Sequence, residues 1–217
     1  MLPTDSLPGD LWCCDYSLDP GEQGLISRKI ESFDALPTDA VVCSHLAINL
    51  GDGMVAQAWK TGVGIYPWLI PLSGANRVIV RRLPDQSQIP GVLGVVAGLV
   101  AAGIQYDYGS IAADAMVLQM RNNQDQTRWP MYAEEICGAA EIVNLWEIAY
   151  PSMVCSSFAA KAFTAYIGGG SWQPLLAVPM FRYGGDQVCP GPFVSPRDIL
   201  YTGSLDTAGT LDLSLQE

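Results

Sequence analysis

The stretch Val41-Val42-Cys43-Ser44-His45-Leu46-Ala47-Ile48-Asn49-Leu50-Gly51-Asp52-Gly53-Met54-Val55-Ala56-Gln57-Ala58-Trp59 decides how this chain is read. Alternating apolar residues predict a strand over Val41 to Leu50. Gly51-Asp52-Gly53 then supplies a turn with capacity for positive φ, and Met54 to Trp59 reads as the return strand. Alternation puts Leu46, Ile48 and Leu50 on one face, with Cys43, His45, Ala47 and Asn49 on the other. The Leu/Ile face is the natural core face, so His45 is expected on the less apolar side. On the return strand, Val55, Gln57 and Trp59 share a face. A three-residue loop pairs Leu50 with Met54 and Ala47 with Gln57, which sets Gln57 diagonal to His45 and within a long side chain's reach. A two-residue loop slips the register and turns Gln57 away.

Outward from this hairpin, Gly9-Asp10 leads into a short strand at Leu11-Trp12-Cys13-Cys14, and Leu25 to Phe33 has helical spacing. Gly62 to Tyr66 and Arg77 to Arg82 read as further strands. Beyond Pro90 the period becomes helical, around 91–102, 109–121 and 131–148. Pro151 interrupts, Ser156 to Ile167 reads as another helix, and Gly168-Gly169-Gly170 is expected to end it. Strands early and helices late predict an α+β fold. We expect one domain over 1–217, with its core at about 9–201 and a polar C-terminal tail at 202–217.

The chain has 217 residues, and its 22 Asp and Glu outnumber 11 Lys and Arg, for a net charge of -11. Phosphate backbones would repel it, so nucleic acid is excluded as a partner. Anionic lipid surfaces are unfavourable too, unless apolar residues are buried there. The six cysteines form no C-x-x-C pair, and with one histidine they spell out no structural zinc set; most of them read as small buried hydrophobes. The opening Met1-Leu2-Pro3-Thr4-Asp5-Ser6 is not a secretory signal, so synthesis in the cytoplasm without a leader is expected. The most apolar stretch, Gly91 to Gly103, is shorter than the roughly 20 residues a membrane span requires, and reads as a buried helix with small residues on one face.

Three side chains are candidates for chemistry. His45 is the only imidazole in the chain. Cys155 follows Pro151-Ser152, which announce a helix start, while Phe158, Ala162 and Phe163 recur at helical spacing after it. In the first turn of a helix, unpaired amide N–H groups and the dipole favour a thiolate, and an adjacent imidazole could accept its proton. Gln57 could hold the imidazole by accepting its second N–H, as a third polar group must in such a site; an exposed Gln on an edge strand is the alternative.

Several short motifs stand in a telling order: Gly9-Asp10-Leu11, Ser44-His45-Leu46-Ala47-Ile48, Gly51-Asp52-Gly53-Met54-Val55-Ala56-Gln57-Ala58, Gly62-Val63, Tyr106-Asp107-Tyr108, Cys155-Ser156-Ser157-Phe158 and Ser195-Pro196-Arg197-Asp198-Ile199-Leu200. Together they resemble the circularly permuted branch of the NlpC-type papain-like cysteine hydrolases, the YiiX-like family. In that branch the His strand precedes the Cys helix, as it does here. The resemblance implies a small antiparallel sheet or barrel packed against a helical part, with a cleft between them. It implies Cys155 as nucleophile, His45 as general base and Gln57 as the orienting residue. Tyr106 and Asp107 match a family pair near the cleft, which implies substrate binding or wall-building; a helix-entry Asp cap with a packed Tyr is the alternative. The family commonly carries Glu at the orienting position and an acidic residue at position 157, where this chain has Gln57 and Ser157. A neutral amide oxygen accepts the imidazole N–H but stabilises imidazolium less than a carboxylate does.

The expected activity is thiol hydrolysis of an amide bond in bacterial cell-wall peptide through an acyl-enzyme, with no metal and no organic cofactor. Lipid ester or acyl-transfer chemistry on an acyl-lipid substrate is the second expectation, and Trp59, Trp68 and Leu69 are its candidate contacts. A non-catalytic module of a larger particle, such as a phage tail, is the third. A leaderless hydrolase of this type is expected to travel in a virion or other delivery particle, with an assembly partner there.

Overall fold

The computed structural model describes residues 1–21, 24, 27–28, 42–107, 152–168, 171–175, 182–183, 187–188 and 196–213. The helices expected at 109–121 and 131–148, most of the one at Leu25 to Phe33, and both Cys137 and Cys189 lie outside the described residues.

Six strands form one antiparallel sheet. They are β1 (Leu11–Asp15), β2 (His45–Gly51), β3 (Met54–Trp59), β4 (Gly62–Pro67), β5 (Arg77–Arg82) and β12 (Asp206–Thr210), in the order β12-β5-β1-β2-β3-β4. A short helix α1 (Leu69–Leu72) joins β4 to β5. Helix α2 (Ile89–Ala101) follows, then the two-residue parallel pair β6 (Gln105–Tyr106) and β7 (Ser152–Met153). Helix α3 (Cys155–Ala162) leads into the hairpin β8 (Thr164–Gly168) and β9 (Ser171–Pro174). A small pair β10 (Arg182–Tyr183) and β11 (Gln187–Val188) and helix α4 (Pro196–Leu200) precede β12. Sheet plus helices make the α+β class expected from the order of the patterns.

Both faces of the central strands are buried. Leu11, Cys13, Leu46, Ile48, Ala56 and Ala58 pack with Val92 and Val96 of α2 and with Phe158, Ala159 and Ala162 of α3. Trp12, Cys14, Tyr16, Ala47, Val55, Val78 and Val80 form a second cluster, closed by Leu72 and Leu211. The less apolar face assigned to His45 is therefore interior as well. Small residues such as Ala47 and Cys14 leave room there for Trp12 and Tyr16, so alternation of polarity understates this second core. A strand buried on both faces need not alternate.

Two expectations are corrected. The helix at Ser156 to Ile167 is α3, which begins at Cys155, stops at Ala162 and gives way to a strand. The Thr164 hydroxyl donates to the Lys161 carbonyl (3.0 Å), and Phe163 turns the chain at φ -84, ψ 61. The β-branched and aromatic residues Thr164, Tyr166 and Ile167 then favour a ladder over a further turn of helix. Residues 206–210 of the tail are not appended to the core either. They pair with β5, Leu211 N donates to Val78 O (2.9 Å), and Met1 N donates to Thr210 O (2.9 Å). The stretch at 91–103 turns its small residues outward: Val92 and Val96 are buried while Gly94, Ala97 and Gly98 are exposed.

Candidate functional site

The β2–β3 turn sets the site's register. Gly51, Asp52 and Gly53 take φ of 86, 50 and 77, and Asp52-Gly53 are the two turn residues between the strands. A two-residue turn alone would shift the ladder, but a bulge between Asn49 and Gly51 absorbs the extra residue. The ladder then runs Gly51↔Met54, Asn49↔Val55, Ile48↔Ala56. Continued, it sets Trp59 across from His45 and Gln57 one diagonal step away. The turn is thus the short one, while the strands keep the register of the longer loop.

His45 and Gln57 meet directly, with Nε2 2.7 Å from Oε1, and both are buried, at 5% and 0% exposure. An amide oxygen can only accept, so Nε2 carries the proton and the lone pair of the neutral imidazole is on Nδ1. The ring sits between aromatics: the edge of Trp59 at a centroid distance of 4.9 Å and Tyr16 at 6.1 Å. Burial lowers the His45 pKa from 6.5 to about 4, against the smaller upward pull of the Gln57 bond. His45 is consequently neutral at pH 7. Gln57 Nε2 is buried and has no hydrogen-bond partner among the described residues, which leaves the amide half-satisfied there.

Cys155 is the first residue of α3, after Val154 in an extended conformation with no side-chain cap. Phe158 N donates to the carbonyl of Val154 at 2.9 Å. Helix α3 packs against β2 and β3, and Cys155, 5% exposed, belongs to the cluster that holds Cys13, Cys43, Leu46 and Ile48. Cys14 lies opposite His45 in the β1–β2 ladder. Burial first, and then neighbouring charges that include Cys155, push the Cys14 thiol and the Tyr16 hydroxyl well up. By alternation His45 shares the Ala47 face, whereas Cys155 belongs to the cluster on the Leu46 and Ile48 face of β2.

Tyr106 and Asp107 arrive beside the Cys155 segment through β6 and β7. Tyr106 pairs with Met153, two residues before Cys155, and Asp107 N donates to Met153 O (3.2 Å). Tyr106 packs, half-buried, on the α2–α3 cluster. A parallel pair this short has no hairpin signal, so sequence reasoning did not predict its strands.

The strand entry at Gly9-Asp10 is fastened by a polar network that sequence reasoning also missed. Buried Asp10 accepts two bonds from Arg82, at 2.7 and 2.6 Å, and one each from Ser6 Oγ and Leu7 N. Asn49 Nδ2 donates to Ser6 O (2.9 Å), which joins this corner to β2. With Asp85 only three residues from Arg82, nothing in the sequence singled out Asp10 as its partner. The described cysteines, Cys13, Cys14, Cys43 and Cys155, are all buried, as read from the sequence. Among the described residues no cluster of His, Cys, Asp or Glu could hold a metal ion, and no helix is long and apolar enough to cross a membrane. No family model, curated protein or solved structure matches the chain.

Proposed function

We propose that this chain is a thiol hydrolase with a permuted papain-like arrangement, in which Cys155 attacks an amide carbonyl of bacterial cell-wall peptide. The observation that carries the reading is the buried His45–Gln57 hydrogen bond beside a helix whose first residue is Cys155. It gives the only imidazole of the chain a defined tautomer, with Nδ1 as the basic nitrogen.

In this mechanism Cys155 Sγ bonds to the carbonyl carbon as its proton passes to His45 Nδ1. The Cys155 backbone N–H at the α3 start would help hold the tetrahedral oxyanion. His45 returns the proton to the leaving amine and a thioester remains. Water then attacks the thioester, giving its proton to the imidazole, and the Cys155 thiol is restored. Because Gln57 is neutral and burial makes His45 hard to protonate, the imidazole is neutral at rest. Tyr106 and Asp107, beside Met153, would line the approach to the sulfur.

The test is amine release from purified cell-wall peptide together with mass spectrometry of the acyl adduct on Cys155. Cys155→Ser should abolish both, and His45→Ala should slow release by about 100-fold or more. Release of fatty acid from lipid ester by the same two residues would move the reading to acyl-lipid chemistry. Failure to acylate with either substrate class would leave a non-catalytic module of a larger particle.

A further inference from the structure

The turn between β2 and β3 is fastened on both sides and open at its centre. Asn49 Oδ1 accepts from Gly51 N (3.0 Å) and Asn49 Nδ2 donates to Ser6 O (2.9 Å), which ties the β2 side to the first loop of the chain. Gly53 O accepts from Trp68 N (2.9 Å), which ties the β3 side to the start of α1. These bonds engage the peptide before Gly51 and the peptide after Gly53. Between them, Asp52 O and Gly53 N have no hydrogen bond among the described residues, and neither has the exposed Asp52 carboxylate. A Cβ built on Gly53 would meet nothing within 4 Å, so the space beside that peptide is open.

Asp52-Gly53 is the chain's only Asp-Gly pair, and there is no Asn-Gly. The glycine carries no side chain to keep its amide nitrogen from the preceding carboxyl. Asp5, Asp10, Asp15, Asp19 and Asp85 each accept from a nearby backbone N–H, which commits their carboxylates; Asp52 has no such partner. Among the described residues Asp52 is also the one non-glycine residue at positive φ. With φ of 50 and 77, Asp52 and Gly53 form a type I′ turn. Rotating the single peptide between them converts it to type II′, which keeps Asp52 at positive φ and leaves the strands in place. That rotation swings Gly53 N toward the Asp52 side chain, and none of the fastening bonds has to break for it.

We propose that Asp52-Gly53 is a site of spontaneous covalent modification, where the linkage isomerises through a succinimide to isoaspartate. Gly53 N bonds to Asp52 Cγ, and the carboxyl hydroxyl leaves with the amide proton as water. Water then adds to the main-chain carbonyl carbon of Asp52, and the bond from that carbon to Gly53 N breaks. The chain now runs through Cβ and Cγ of Asp52, and a free α-carboxylate stands where the carbonyl was. Water is the one co-reactant, and the mass is unchanged. The new linkage adds one atom to the main chain of a two-residue turn whose type I′ geometry has no place for it. The ladder that brings Gln57 to His45 starts from this turn, so the modification loosens the hairpin that holds the imidazole. The inference goes beyond the proposed hydrolysis and does not rest on it.

The test holds the whole chain at about pH 6 and 37 °C in heavy-oxygen water, folded or in urea, and maps its fragments by mass spectrometry. The fragment from Ile30 to Lys60 should gain one heavy oxygen and an isomer of altered retention, both localised to Asp52. Asp34 and Asp39 of the same fragment, each followed by alanine, are the internal controls. The folded chain should isomerise within about tenfold of the rate in urea, because an unfastened turn peptide opens at little cost. Asp52→Asn should reach the same product faster, with release of ammonia, and Asp52→Ser should lose both label and isomer. No isomer in the folded chain, formation more than about tenfold slower than in urea, or equal labelling at Asp34 and Asp39 overturns the inference. In the isolated isoaspartyl form the His45 Cε1–H resonance should move from its position in the parent chain. An unmoved resonance overturns the link between the turn and the imidazole.

Discussion

His45 is the one histidine in 217 residues, so its Cε1–H proton resonance can be followed alone. Burial between Tyr16 and Trp59 lowers its pKa to about 4, and an NMR titration should find it there and not near 6.5. In Gln57→Glu a carboxylate would replace the amide with its unpartnered Nε2, and the imidazolium would gain a charged partner. The same resonance should then titrate at least one pH unit higher, and the acid limb of any hydrolysis should move with it. The low pKa also bears on stability. An unfolded chain takes up the His45 proton near 6.5 while the folded chain refuses it down to about 4, so stability is whole above 6.5 and falls as pH drops toward 4. The loss is roughly 3 kcal/mol at 1.36 kcal/mol per pH unit. Urea unfolding of wild type and His45→Asn across pH 4 to 6.5 should show that slope only in wild type.

At the scale of elements, the hairpins are positioned by backbone as much as by side chains. Gly62 opens β4 at φ 109, and a Cβ there would run into the carbonyl oxygen of Ile104. That carbonyl accepts from Val63 N at 2.8 Å and so docks the β6 segment, which carries Tyr106, onto the sheet. Gly62→Ala should cost about 2 to 4 kcal/mol in urea unfolding, from strained φ and the displaced carbonyl together. An effect under about 0.5 kcal/mol would mean that β6 is not held by this contact. The same scale explains the helix misread past Ala162. Its periodicity continued into Thr164 to Ile167, but the Thr164 hydroxyl and the partner strand at Ser171–Pro174 compete for that backbone, and the ladder is non-local information.

For the molecule as a whole, the last strand is structural. β12 supplies the edge beside β5, Leu205 and Leu211 are buried, and Arg81 donates to the carbonyls of Thr202 and Leu205. Deleting residues 203–217 should cost about 5 kcal/mol, from two buried leucines and an uncapped sheet edge. A disposable tail would leave the urea midpoint unchanged. The Arg82–Asp10 fork works at the same scale, since it ties β5 to the loop that enters β1 across more than seventy residues of chain.

The α+β class, the strands at 54–59 and 77–82 and the turn of positive φ at 51–53 were legible in the amino-acid order, which left the meeting of His45 with Gln57 as one of two readings. Each depends on period, turn chemistry or neighbours within a few residues, and local sterics act on those directly. The choice between the two loop readings needed the bulge at Asn49–Gly51, which one strand's pattern cannot announce. Burial of the His45 face, the parallel meeting of Tyr106 with Met153 and the return of residues 206–210 to the sheet belonged to tertiary structure alone. They join segments tens to more than a hundred residues apart, and such contacts form because folding buries apolar area and satisfies backbone hydrogen bonds across the whole chain at once, whichever residues happen to be neighbours in sequence.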